Sequence, residues 1–206
     1  MPDSEPIFAD VFGQQWQTLP ESLKRHYANR PFSRDVVTHH GALTITMSPL
    51  MRRFRWLLRL TGLLVPFEGV DLPVTVYTRS QPHSRTYVFE RHLFPPGGRE
   101  YIFRSELVCV KPHVVIEYFR FGGGWRAIYD FDGERVLIRH DGFNWRLFGW
   151  NIPLPGWLDL IFGCGGAWEQ SVSDDTYRME TALTHGQHRL MGYAGAFQIT
   201  EIALAE

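Results

Sequence analysis

The sequence predicts an α+β chain built mainly from a strongly curved, mostly antiparallel β-sheet, barrel-like or grip-like, with one amphipathic helix packed on it. Three observations carry that expectation. From residue 72 onward apolar and polar residues alternate with period two over many segments. Short links such as PPGG, GGG and DGE join those segments and imply antiparallel neighbours. Aromatic residues make up 15% of the chain, a bias toward pleated, half-buried surfaces. A sheet of about ten strands tends to curl and close on itself rather than stay flat.

The elements follow in order. IFADVFGQQWQTLPESLKRHYANR reads as one or two short helices, with Pro20 opening the second and Glu21 at its positive end. GALTITM, residues 41 to 47, is a short strand. Ser48 then caps a helix that Pro49 begins, that runs to Leu60, and that Gly62 and Pro66 end. Leu50, Phe54, Leu57 and Leu58 share one face of it with Met51 at the border, while Arg52, Arg53, Arg55, Trp56 and Arg59 gather on the other. A surface helix laid on a sheet has this pattern, and so does one that contacts a membrane surface or a partner.

The strands beyond are PVTVYTR, RTYVFERHLF, EYIFRSELVCV, HVVIEYFRF, WRAIYDF, RVLIRH and FNWRLFGW. Asp132-Gly133 and Asp141-Gly142 read as tight turns, because glycine accepts positive φ cheaply, and FGGGW as a hairpin turn. IPLPGWLDLIFG, residues 152 to 163, reads as a proline-started short helix or turn. AWEQSVS, TYRMETAL and HRLMGYAGAFQIT complete the meander. With no repeat or low-complexity linker, a single domain over residues 1–206 is expected.

Composition narrows the function. With 22 acidic and 21 basic residues there is no electrostatic footprint for nucleic acid. Only Lys24 and Lys111 are lysines, so nearly all cations are arginines, which suit carboxylate pairing and aromatic stacking. Cys109 and Cys164 stand far apart and outside metal spacing, which points to a reduced, cytoplasmic protein, peripheral at the inner membrane if the basic helix docks there. MPDSEPIFAD lacks the basic and apolar regions of a secretory signal, and no apolar stretch reaches membrane-spanning length.

No catalytic signature stands out, and neither cofactor nor metal is expected. The nine histidines form no HExxH spacing, and His39-His40 reads as a solvated loop pair. GCGGA lacks the spacing of a nucleophile turn, and Asp174-Asp175 lies in polar turn context.

Alternation puts charges in unexpected places. Tyr87, Phe89, Arg91 and Leu93 share a strand face, as do Val115, Glu117, Phe119 and Phe121, and Tyr101, Phe103, Ser105, Leu107 and Cys109 share one on the strand between. Buried unpaired, Arg91 and Glu117 would be costly, so they are expected to meet through or beside Ser105, with Glu169 joining them. Such a cluster either fixes strand register or anchors a ligand whose apolar body Phe89, Phe103 and Phe119 would line.

In the order GALTITMSPLMRRFRWLLRLTGLLVP, Val74-Thr75-Val76, ERHLF, FRSEL, VIEYF and GWNIPLPGWL, the chain resembles the uncharacterised bacterial family known as domain of unknown function 4166. The residues that carry the likeness are Phe89, Arg91 and Phe94; Phe103 and Ser105; Glu117; Gly149, Pro153, Pro155 and Leu158; and Glu169, within about residues 19 to 199. The family usually has Trp where this chain has Phe89. Some relatives are fused to reductase-like or membrane segments, which implies a binding or accessory role.

The leading expectation is therefore non-catalytic binding of an apolar or lipid-like small molecule, held by Arg91, Ser105, Glu117, Glu169, Phe89, Phe103 and Phe119. The second is docking on a membrane surface or an oxidoreductase partner through Arg52, Arg53, Arg55, Trp56 and Arg59. An enzyme ranks third. A cavity of a few hundred Å3 at Arg91 and Glu117 favours the first, and an exposed apolar patch favours the second.

Overall fold

The computed structural model describes residues 5–62 and 64–205, so the start of the stretch read against a signal, and Leu63, lie outside it. Two short helices lead, α1 (Ile7–Phe12) and α2 (Glu21–His26), followed by strand β1 (Val36–Met47). Helices α3 (Pro49–Arg53) and α4 (Arg55–Thr61) precede β2 (Gly69–Ser80), β3 (Tyr87–Leu93), β4 (Tyr101–Lys111) and β5 (Val114–Tyr118). Then come β6 (Gly123–Phe131), β7 (Arg135–Leu147), β8 (Trp150–Pro153), α5 (Asp159–Phe162), β9 (Cys164–Ser171), β10 (Thr176–His185) and β11 (His188–Ala203).

All strand pairs are antiparallel, in the order β6-β5-β4-β3-β2-β1-β11-β10-β9-β7-β8, and β6 also pairs with β7. That last pairing closes ten strands into a barrel, with β8 left outside the ring as a hairpin on β7. On the edge away from β6, β7 serves two partners: Arg135–Arg139 pair with β9, whereas Asn144–Leu147 pair with β8. The meander places alternate connections at opposite ends. One end carries the β2–β3, β4–β5 and β6–β7 turns; the other carries α3, α4, the β5–β6 turn, the β7–β8 hairpin and α5.

A barrel of eight strands is just filled by side chains from its own wall. Ten strands enclose more space, and here the leading segment fills it. Phe8, Phe12 and Leu23 are fully buried, and the Phe8 ring stacks on Tyr27 at 4.3 Å and meets Tyr87 and Tyr129 edge-on at 5.4 and 5.6 Å. Polar ties hold this plug. Val11 O accepts from His113 N at 2.9 Å, Gln15 Nε2 donates to Asp130 at 2.8 Å, and Tyr87 Oη donates to His26 O at 3.0 Å. We call this the plugged end and its opposite the open end.

Three expectations require correction. The first strand begins at Val36 rather than residue 41, so His39 and His40 are strand residues: His39 is fully buried in the interior and only His40 faces out. Asp141-Gly142 is no hairpin turn, because β7 runs through it, and the β6–β7 register slips between Trp125 and Ala127. This is a bulge, with Gly142 at φ 111 and Arg126 Nε 2.8 Å from the Asp141 carboxylate. The helix from Pro49 breaks at Phe54 into two pieces, and of its expected packing face only Leu58 is buried, with Met51 half-buried; Leu50, Phe54 and Leu57 are exposed. Asp132-Gly133 does form the β6–β7 turn, with Gly133 at φ 99.

Candidate functional site

The register sets the cage. Arg91 on β3 stands opposite Phe103 on β4, Phe89 opposite Ser105, and Leu107 opposite Glu117 on β5. All these positions point inward. Arg91 Nη2 donates to Glu117 Oε1 at 3.1 Å, Arg91 Nη1 donates to Ser105 Oγ at 3.1 Å, and Ser105 Oγ donates to the same carboxylate oxygen at 2.5 Å. The guanidinium also lies over the Phe89 ring, 4.0 Å from its centroid, and 5.0 Å from that of Phe103. Paired and stacked, the charge is tolerable in a mostly buried place. Arg91 Nε and Glu117 Oε2 make no hydrogen bond among the described residues, so the cage retains spare donor and acceptor capacity.

Beside the cage the wall has a gap. β5 pairs with β4 only from Glu106 onward, since it stops at Tyr118, and Tyr101–Ser105 have a strand neighbour on the β3 side alone. A cleft of about 430 Å3 opens there, lined by Tyr101, Phe103, Ser105, Phe119, Arg59 and Arg120 among others. Phe119 stacks on Phe103 at 5.9 Å. Burial raises the Tyr101 phenol above its ordinary value, and the facing Arg120 and Arg59 charges pull it back. Gly62, at φ 61, lets the chain end α4 directly against Arg120, whose side chain would lie 3.3 Å from an added Cβ.

A second polar cluster occupies the opposite wall. Glu169 on β9 accepts a short hydrogen bond from the Tyr27 hydroxyl, and His26 Nε2 lies 3.7 Å from its other oxygen. Burial pushes the Glu169 carboxyl up to about 7, against the pull of the Tyr27 bond and Arg91. His26 is lowered by burial, then by His39 and Arg91, and burial lowers His39 to about 3. Both ring nitrogens of His26 lack a hydrogen-bond partner among the described residues, as does Nε2 of His39. The His26 ring instead contacts Tyr177 at 4.5 Å and His39 at 5.0 Å.

His140, Asp159 and Cys164 gather their ligand atoms within 4.8 Å of one another. They fit a metal poorly. Trp125 Nε1 donates to His140 Nδ1 at 2.9 Å, which leaves Nδ1 bare and puts the neutral ring's proton on Nε2, 3.1 Å from Asp159. The nitrogen a metal would need is thus the protonated one.

A family model described as Domain of unknown function (DUF4166) matches residues 19–197. The chain belongs to this family. The matched span runs from the start of α2 through most of β11, so it holds nearly the whole barrel. In this DUF4166 chain the residues that carry the resemblance converge: Phe89, Arg91, Phe103, Ser105 and Glu117 form the cage, and Gly149 to Leu158 form the hairpin and turn before α5. No curated protein matches the chain.

Of the expected site residues, five meet in the cage and Phe119 stands at the cleft. Glu169 faces the same interior but bonds Tyr27, with no hydrogen bond to the cage, and reaches Arg91 only through its field. Arg52 is committed to Glu68 at 2.6 Å, while Arg53, Arg55, Trp56 and Arg59 are exposed at the open end. Sequence reasoning does not reach Tyr27, His26 or His39. For His39 a signal exists, since alternation from Val37 through Leu43 puts it on an apolar row.

Proposed function

We propose that the barrel binds an apolar or lipid-like small molecule without transforming it, its polar head at Arg91, Ser105 and Glu117 and its apolar body against Phe103 and Phe119. The observation that carries this reading is the cleft of about 430 Å3 where β5 stops short. Its volume falls in the range of small-molecule pockets, roughly 300 to 1,000 Å3. Ser105 belongs both to the cleft wall and to the cage, which links the opening to the charged pair. Tyr101, Phe103, Tyr118 and Phe119 supply aromatic wall beside four arginines, and Arg91 and Glu117 reach the cleft only through Ser105, so the ligand's head would enter past that hydroxyl.

Native mass spectrometry of the purified chain, followed by lipid extraction, tests the reading. A bound species released on denaturation, and reduced when Arg91→Met and Glu117→Leu are combined, is the expected result. A bare chain mass, together with no uptake of a fluorescent fatty-acid probe, overturns it.

A further inference from the structure

We propose that the open end of the barrel is a docking face for an anionic lipid surface. Three segments project large apolar side chains there: Trp56 on α4 is 61% exposed, Phe148 and Trp150 at the β7–β8 hairpin are 93% and 75% exposed, and Leu160 on α5 is 76% exposed. These segments are tied to the barrel rather than loose. Phe162 meets Phe143 at 5.9 Å, His140 meets Asp159 at 3.1 Å, and His185 Nε2 bonds Leu160 O at 2.7 Å.

The hairpin tip is the sharpest sign. Leu147 pairs with Trp150, so the loop is Phe148-Gly149 alone, with φ of 49 and 82. A two-residue loop with both φ positive favours Asn, Asp or Gly. A bulky aromatic held there, nearly fully exposed, is unfavourable in water on both backbone and hydrophobic grounds, and inserting it into a lipid interface relieves the second.

Charge decides the occupant. Arg53, Arg55 and Arg59 make no hydrogen bond or ion pair among the described residues, and Arg120 has only the Phe121 ring, 5.0 Å away. Of the carboxylates at this end, Glu68 pairs with Arg52, Glu180 with Arg189 and Glu100 with His92, while Asp159 bonds the His140 ring and Asp71 bonds Thr44, so Arg53, Arg55, Arg59 and Arg120 outnumber Asp71 and Asp159. Exposed aromatics beside uncompensated arginines match the interface of a bilayer carrying anionic head groups. The break at Phe54 fits this, because it leaves both the apolar and the basic residues of the helix facing out. Arg59 and Arg120 border both this face and the cleft, but the hairpin tip with Phe148 and Trp150 lies outside the cleft lining, so docking through it is separable from the ligand reading.

Co-sedimentation of the full chain with phosphatidylcholine vesicles, with and without phosphatidylglycerol, is the test. Binding is expected to need phosphatidylglycerol and to weaken with salt. Phe148→Ser with Trp150→Ser, both at solvent-facing positions, should reduce it tenfold or more, and Arg53→Glu with Arg55→Glu, both outside the cleft, at least as much, at roughly fivefold per neutralised arginine. The hairpin variant's unchanged circular dichroism and melting curve separate lost docking from lost fold. No sedimentation at low salt, binding indifferent to all four substitutions, or a self-associated dimer that ignores vesicles would each overturn the proposal.

Discussion

Arg91 and Glu117 meet at 3.1 Å although their strands, β3 and β5, are not neighbours; the pair spans β4, where Ser105 bonds both. The long arginine stem makes this possible, lying across the Phe89 and Phe103 rings as it crosses.

Removing one partner should therefore cost more than removing both. Glu117→Ala leaves a mostly buried guanidinium with only Ser105 and the rings, an expected loss of about 2–3 kcal/mol, at or below the usual figure for a broken buried pair because this one is partly wet. Arg91→Met with Glu117→Leu should fall within about 1 kcal/mol of the parent. Urea denaturation of the three proteins measures the difference.

The plug makes a comparable prediction from packing alone. Phe12 is fully buried against Tyr27 and Tyr129, so Phe12→Ala should destabilise by about 3–5 kcal/mol through lost burial and the cavity left behind. Phe148→Ala, of the same chemistry but exposed, should change stability by less than about 0.5 kcal/mol. Thermal melts distinguish the two.

Glu169 gives the pH dependence a sign. Its carboxyl is raised from 4.5 to about 7, so the folded state holds more protons than the unfolded one between those values, and stability from this group falls as pH rises through that window. His26 and His39 are lowered and act the other way: their contribution is present above 6.5 and is lost on acidification. Glu169→Gln should thus gain on the parent by up to roughly 3 kcal/mol between pH 4.5 and 7, with no further gain above. Denaturation midpoints of both proteins across that range give the answer; a constant difference would contradict the assignment.

The His140 tautomer predicts a metal response. Zinc should bind weakly at His140, Asp159 and Cys164, because Trp125 holds the ring proton on Nε2. Trp125→Phe removes that donor, frees Nε2 and should tighten zinc binding, read by competition with a chromophoric chelator. Equal affinity in both proteins would sink the tautomer argument.

Much of the cage is legible in the amino-acid order. Alternation alone puts Arg91, Ser105 and Glu117 on inward rows, because a strand's side chains have a fixed period that one wrong turn does not erase. The bulge at Asp141-Gly142 misleads for a local reason: glycine at positive φ serves a bulge as readily as a hairpin. The helix from Pro49 misleads for another, since amphipathicity names two faces without saying what covers either.

By itself the sequence determined the curled antiparallel meander, the family and the polar set on its inner rows. Only the tertiary structure decided that ten strands close through β6 and β7, that Phe8, Phe12 and Tyr27 fill one end, and that Tyr27 bonds Glu169 across 142 positions of sequence. Periodicity is a property of neighbours along the chain. What fills a barrel depends on its circumference, which no single strand encodes.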